Sequence, residues 1–118
     1  MSTLYELTVA VFSFNRGAYL KNCLDSLRRN MPFAAVVVYD DGSTAPETLR
    51  VLAESGVQVR QMKAADLSRH GGLYHNMQVA LDECQTPLMF FVQDDMQVVR
   101  RVDPGEIAGW RALFEADP

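Results

Sequence analysis

The sequence predicts an open, mainly parallel α/β sheet with helices on both faces, built as one domain over residues 1–118. Three observations predict it. Short apolar, β-rich runs recur along the chain, and between them apolar residues fall at helical spacing. Three of those runs empty into polar clusters: Ser13-Asn15-Arg16, Asp40-Asp41 and Asp94-Asp95. Alternating strands and helices imply right-handed crossovers between parallel strands. Sheets of this kind bind ligands beyond the carboxyl ends of their strands.

Leu7 to Phe14 (LTVAVFSF) lacks polar alternation, as a strand covered on both faces does. Leu20, Cys23, Leu24 and Leu27 then follow at helical spacing until Pro32 stops the helix. Ala34 to Tyr39 (AAVVVY) is a second buried strand. Thr44 with Glu47 forms a capping-box pattern, with Pro46 in the first turn, where a missing N–H costs nothing. Leu49, Leu52 and Ala53 make the apolar stripe of that helix, and Gly56 ends it. Val57 to Met62 alternates apolar and polar residues, the pattern of an edge strand. Gly71-Gly72 precedes a helix with Leu73, Met77, Ala80, Leu81 and Cys84 on one face. After Pro87 comes a fourth strand, Leu88 to Val92 (LMFFV). Asp103-Pro104-x-Glu106 opens a last helix that turns Ile107, Trp110 and Phe114 inward.

A domain of 118 residues with 48% hydrophobic content can bury a core of its own. Eleven Lys and Arg against 15 Asp and Glu give a net charge of −4, which argues against a duplex nucleic-acid binder. Cys23 and Cys84 show no metal-ligand spacing and read as reduced thiols, consistent with a cytoplasmic location. No secretory leader is expected, because Glu6 interrupts an opening that has no basic region. The apolar runs are strand-length, short of the roughly 20 residues a membrane helix needs.

Asp and Gly make good turns, which by itself accounts for any one polar cluster. Two acidic pairs on one sheet edge ask for more, because like charges repel unless a cation or donor meets them. A nucleoside diphosphate sugar supplies both. The N3–H of a pyrimidine donates to a carboxylate, and the diphosphate arrives with Mn²⁺ or Mg²⁺ held by one or two carboxylates and phosphate oxygens. This also reconciles an acidic protein with an anionic ligand.

The segments FSFNRGAYLKNCLDSL, VVVYDDGSTAPETL, HNMQVALDE and FFVQDDM, in this order and each at or after a strand end, resemble the signatures of family 2 glycosyltransferases with the GT-A, Rossmann-like fold. The resemblance runs from about residue 7 to about residue 99. It implies metal-dependent transfer of a sugar from a UDP- or dTDP-type donor to an acceptor hydroxyl. It also implies roles by position. Phe12-Ser13-Phe14 replaces a usual Pro-Thr-Tyr at the base, with Asn15 following. Asp41 corresponds to the carboxylate that meets the pyrimidine, beside Asp40. His75-Asn76 stands where the family has Arg-Asn, which makes one diphosphate contact pH-dependent or removes it. Asp94 and Asp95 correspond to the ribose-diphosphate and metal motif, with Asp95 the leading metal ligand, although Gln93-Asp94-Asp95 departs from a strict Asp-x-Asp. Arg16 and Arg69 read as solvated surface or as phosphate contacts, and His70 as ordinary loop.

In the family the catalytic base lies beyond the metal motif, and neither Glu106 nor Glu115 has a feature that marks it as that base. The chain is therefore expected to carry the donor-binding half of a truncated domain, with exposed edges that invite self-association. A non-catalytic nucleotide-binding module of the same half-fold is the alternative. A nucleotidyltransferase fits less well, since SFNRGAY has one glycine where a Gly-rich loop is typical. A receiver domain would place an acidic pair after the first strand, where Ser13-Phe14-Asn15 stands.

Overall fold

The structure, a computed structural model, describes residues 6–62 and 72–116. Its elements are β1 (Leu7–Ser13), α1 (Gly17–Asn30), β2 (Ala35–Asp40), α2 (Pro46–Glu54), β3 (Gln58–Gln61), α3 (Gly72–Glu83), β4 (Leu88–Gln93) and α4 (Pro104–Ala116). The four strands form one sheet in the order β3-β2-β1-β4, and every pairing is parallel. The expected open parallel sheet is therefore present, with helices on both faces.

The two faces are packed differently. Leu7, Val9, Val11 and Val38 point to one side and are covered by Leu20, Cys23, Leu24 and Leu27 of α1, Leu52 of α2 and Ile107 of α4. Ala10, Phe12 and Tyr39 point to the other side, against Ala80, Leu73 and Met77 of α3. Phe12 is the centre of that second layer, stacked on Tyr39 at 5.8 Å and edge-on to Phe91 at 5.3 Å. Both faces of β1 are thus dry, which explains its unbroken apolar run.

Several helix details differ from expectation. Thr44 does not cap α2: the N-cap position is Ala45, without a side-chain cap bond. Its place is taken by Asn15, whose Oδ1 accepts the N–H groups of Thr44 and Ala45 at 2.8 and 2.9 Å. The capping-box pattern describes local competence; Asn15 takes the Thr44 N–H that the Glu47 side chain would accept in such a box, together with the Ala45 N–H. The buried stripe of α2 is Thr48 and Leu52, whereas Leu49 and Ala53 are exposed. On α3, Leu81 is exposed and the buried positions are Asn76 and Ala80. Cys84 lies just past the helix and is half-buried, while Cys23 is fully buried; both are free thiols. On α4 only Ile107 is buried. Trp110 and Phe114 face an apolar cleft of about 300 Å³ with Leu7, Leu88, Met89 and Phe90, along the edge strand β4. Asp103-x-x-Glu106 does start that helix, Glu106 accepting the Asp103 N–H at 3.2 Å. No helix among the described residues is long and apolar enough to cross a membrane.

Close approach of α1 and α2 depends on Gly17. A Cβ there would lie 2.9 Å from Glu47 Cγ and 3.0 Å from the Thr48 backbone. Gly17→Ala is expected to cost about 1–2 kcal/mol by forcing the helices apart. A thermal melt followed by circular dichroism should show the midpoint lowered by roughly 4–8 °C, and an unchanged midpoint would disprove the contact.

Candidate functional site

In chain order the strands run outward from β1 to β2 to β3, and then β4 returns to the other side of β1. The reversal lies between β1 and β4, and a crevice opens at such a switch point beyond the strand ends. A cavity of about 150 Å³ is found there, lined by Phe12, Ser13, Phe14, Arg16, Asp41, Leu73, Asn76, Gln93 and Asp94. Residues from three strand ends and the start of α3 meet at this one place, as their positions in the sequence require.

The loops after β1 and β2 are joined by a buried carboxylate. Asp40, fully inaccessible, is paired in register with Ser13. Its Oδ1 accepts the Ser13 hydroxyl at 2.7 Å and the Ser43 hydroxyl at 2.6 Å, and its Oδ2 accepts the Ser43 N–H at 2.7 Å. Ser43 Oγ in turn accepts the Asn15 N–H at 2.8 Å. Asn15 adopts the left-handed backbone conformation (φ 52°) that aims its amide at the start of α2. A short polar side chain tolerates that conformation, which β-branched and bulky residues resist. Asp40 and Asn15 therefore brace the loops and do not line the cavity.

Asp41 follows immediately and does line the cavity. Its N–H extends the ladder to Ser13 O at 2.9 Å, and its Oδ1 faces Asn76 Nδ2 at 3.4 Å. Asn76 is buried, and its Oδ1 has no partner among the described residues. His75, the neighbouring residue on α3, is exposed and does not line the cavity. Arg69 and His70 lie outside the described residues.

The acidic pair after β4 divides by burial. Asp94 is buried, with Oδ2 accepting the Phe14 N–H at 3.2 Å. Burial pushes its carboxyl above the usual Asp range despite the Phe14 N–H and Arg16, which act the other way. Asp95 has a side chain 48% exposed. Arg16 Nη1 lies 3.4 Å from Asp95 Oδ2 and 3.8 Å from Asp94 Oδ1. Beneath them the Cys23 thiol is pushed up to about 12 by burial and by the two neighbouring carboxylates. The chain leaving this turn is strapped to α1: Ser26 Oγ accepts the Val98 N–H at 3.0 Å, and Asn30 Nδ2 donates to Val98 O at 2.7 Å. Those bonds fix Asp94 and Asp95 against the same helix that carries Arg16 at its start.

Among the described residues no group of three or more His, Cys, Asp or Glu side chains is gathered as a metal cage. Leu73 and Gln93 also line the cavity, although sequence reasoning gives neither a binding role. Gln93 ends its strand in the place where the rule about strand ends would have found it.

Removing the brace is expected to be costly. Asp40→Ala leaves two hydroxyls and an N–H without their shared acceptor and should lower stability by about 3 kcal/mol or more, read from denaturant unfolding. Asp94 behaves in the opposite sense. Its raised folded-state pKa means the ionised form costs stability above that pKa, and the cost vanishes below the unfolded value. Asp94→Asn should therefore match or exceed the wild-type melting temperature at pH 7, with the difference shrinking by pH 4. A lower midpoint at pH 7 would contradict this.

The chain matches the model of a family described as glycosyl transferase family 2 over residues 8–105. It is 29% identical over 94 residues to a teichoic acid poly(glycerol phosphate) polymerase of Staphylococcus epidermidis, covering 76% of this chain and 13% of that protein. The crystal structure of S. aureus TarS superimposes with a TM-score of 0.73 at 23% identity, over 93% of this chain and 20% of the other. The chain spans less than a quarter of the length of either relative. At that identity the second comparison speaks for the fold, and it agrees with the parallel α/β sheet. A match extending from β1 through the acidic pair to the start of α4 places the chain in glycosyl transferase family 2.

Proposed function

We propose that the chain is the donor-binding part of a glycosyltransferase, seating a UDP- or dTDP-type nucleoside diphosphate sugar at the β1–β4 switch point. The observation that carries this reading is the convergence of Asp41, Asn76, Phe14 and Asp94 on one cavity, with Asp95 at its rim. Asp41 accepts the N3–H of the pyrimidine, a charge-assisted bond that only an ionised carboxylate gives. Asn76 steadies Asp41 through its amide. The half-exposed ring of Phe14 borders the base. Asp94, held by the Phe14 N–H, presents its remaining oxygen toward the ribose and diphosphate.

The residues fit a hard divalent cation, Mn²⁺ or Mg²⁺. Asp95 is accessible, Asp94 Oδ1 makes no hydrogen bond among the described residues, and both are oxygen ligands. Two carboxylates do not make a cage, so Asp94 and Asp95 would hold such an ion together with phosphate oxygens of the donor. When bound, the cation supplies Lewis-acid stabilisation of the departing nucleoside diphosphate. The chain's own residues bind and orient: Asp41 fixes the base, and Asp94 and Asp95 fix the diphosphate end.

Glu106 and Glu115 are committed elsewhere, in ion pairs with Arg100 and Arg111. Arg100 holds the Glu106 carboxyl down to about 2, unlike a general base poised near neutrality. That observation favours a second reading for the chain on its own, donor binding without transfer. Release of UDP from UDP-sugar in the presence of acceptor separates the two.

Calorimetric titration with UDP, with and without Mn²⁺, tests the site. Asp41→Ala and Asp95→Ala are each expected to weaken Mn²⁺-dependent UDP binding by roughly 10- to 100-fold. Wild-type affinity in both variants would refute the assignment.

A further inference from the structure

We infer that Arg16 is an internal counter-cation, standing between Asp94 and Asp95 in the empty protein and passing to the donor's diphosphate when a divalent cation takes that place. The inference rests on the donor-site reading above and adds the order in which its charges are matched. Arg16 is the sole Lys or Arg among the described residues that line the cavity. One guanidinium nitrogen addresses an oxygen of each carboxylate, at 3.4 and 3.8 Å.

Both distances are long for a charge-assisted bond, which closes to about 2.7–2.9 Å. Elsewhere in this chain Arg100 grips Glu106 with two nitrogens, at 3.0 and 2.8 Å. The hold of Arg16 is loose and easily exchanged by comparison. Its side chain is 51% exposed and anchors no other element among the described residues. Asp94 does not depend on it for orientation, because the Phe14 N–H fixes Oδ2 and leaves Oδ1 aimed at the shared place. The two carboxylates still need a positive charge between them, since like charges in proximity oppose each other's ionisation.

Arg16 also has a second place to go. It occupies the N-cap position of α1, where no side chain caps the helix and no acidic residue stands in the first turn. A diphosphate near that end would meet the favourable end of the helix dipole, and a guanidinium displaced from the aspartates would land beside it. A cation arriving alone displaces Arg16 with no new anion to receive it. A cation arriving with a diphosphate does not incur that loss. Metal and nucleotide therefore strengthen each other's binding, reciprocally.

The experiment measures Mn²⁺ alone, UDP alone and the two together by calorimetry, on wild type, Arg16→Gln and Arg16→Lys. In wild type, UDP should raise Mn²⁺ affinity by roughly tenfold or more. Arg16→Gln should bind Mn²⁺ alone about three- to tenfold more tightly, since the competing charge is gone, and should show reduced coupling to UDP. Arg16→Lys retains the charge and should stay within about twofold of wild type for Mn²⁺ alone. Intact UDP–Mn²⁺ binding with Mn²⁺ affinity unchanged or weakened in Arg16→Gln overturns the exchange and leaves the donor site standing. Absence of UDP binding in wild type under every condition removes the donor site, and this inference with it.

Discussion

The hydrogen-bonded carboxylate of Asp40 is the constraint from which the site's geometry follows. Burying a carboxylate without hydrogen-bond partners costs an amount comparable to the net stability of a small domain. Asp40 is tolerated because Ser13 and Ser43 present three donors to it. Those donors come from the end of β1 and the loop after β2, so satisfying the carboxylate's oxygens forces the loops after β1 and β2 into one arrangement. Asn15 extends the same network to the start of α2. The rim is consequently rigid where Asp41 emerges from it.

Topology supplies the other wall. The order β3-β2-β1-β4 places the end of β4 beside the end of β1 with no crossover helix between them, so the crevice is a by-product of chain reversal. α1 then binds both sides together, carrying Arg16 at its start and holding Val98 through Ser26 and Asn30 further along. The result is an acidic turn whose position is fixed by packing and whose charge is answered by a side chain that packing leaves free.

β1 was legible because burial on both faces of a parallel sheet leaves an unbroken apolar run, β3 because an edge strand alternates, and each predicted run found its strand within a residue or two. The strand-end clusters were legible for the same reason, since polar residues next to such runs must lie at the sheet's edge. Less could be read where one side chain competes with another. Asp40 and Asp41 are adjacent and chemically identical, and only the register opposite Ser13 decides which turns into the fold. Thr44 and Glu47 have the spacing of a capping box, yet Asn15, 29 residues away in sequence from Thr44, takes the Thr44 N–H that Glu47 would accept there. Helical spacing also placed Trp110, Phe114 and Leu81 inward. Periodicity identifies the apolar side of a helix and not whether a neighbour covers it, and these three remain exposed.

The cavity wall is divided between residues that hold the molecule together and residues that do not. Ser13 belongs to the brace and Phe12 to the second core layer, so altering either disturbs folding. Phe14 and Gln93 contribute side chains that make no hydrogen bond to another element among the described residues. Their shape and polarity can drift without loosening a strand or a loop. A scaffold partitioned in this way lets ligand preference diversify over generations on an unchanged frame, and directed randomisation of the pocket has its natural targets at those two positions.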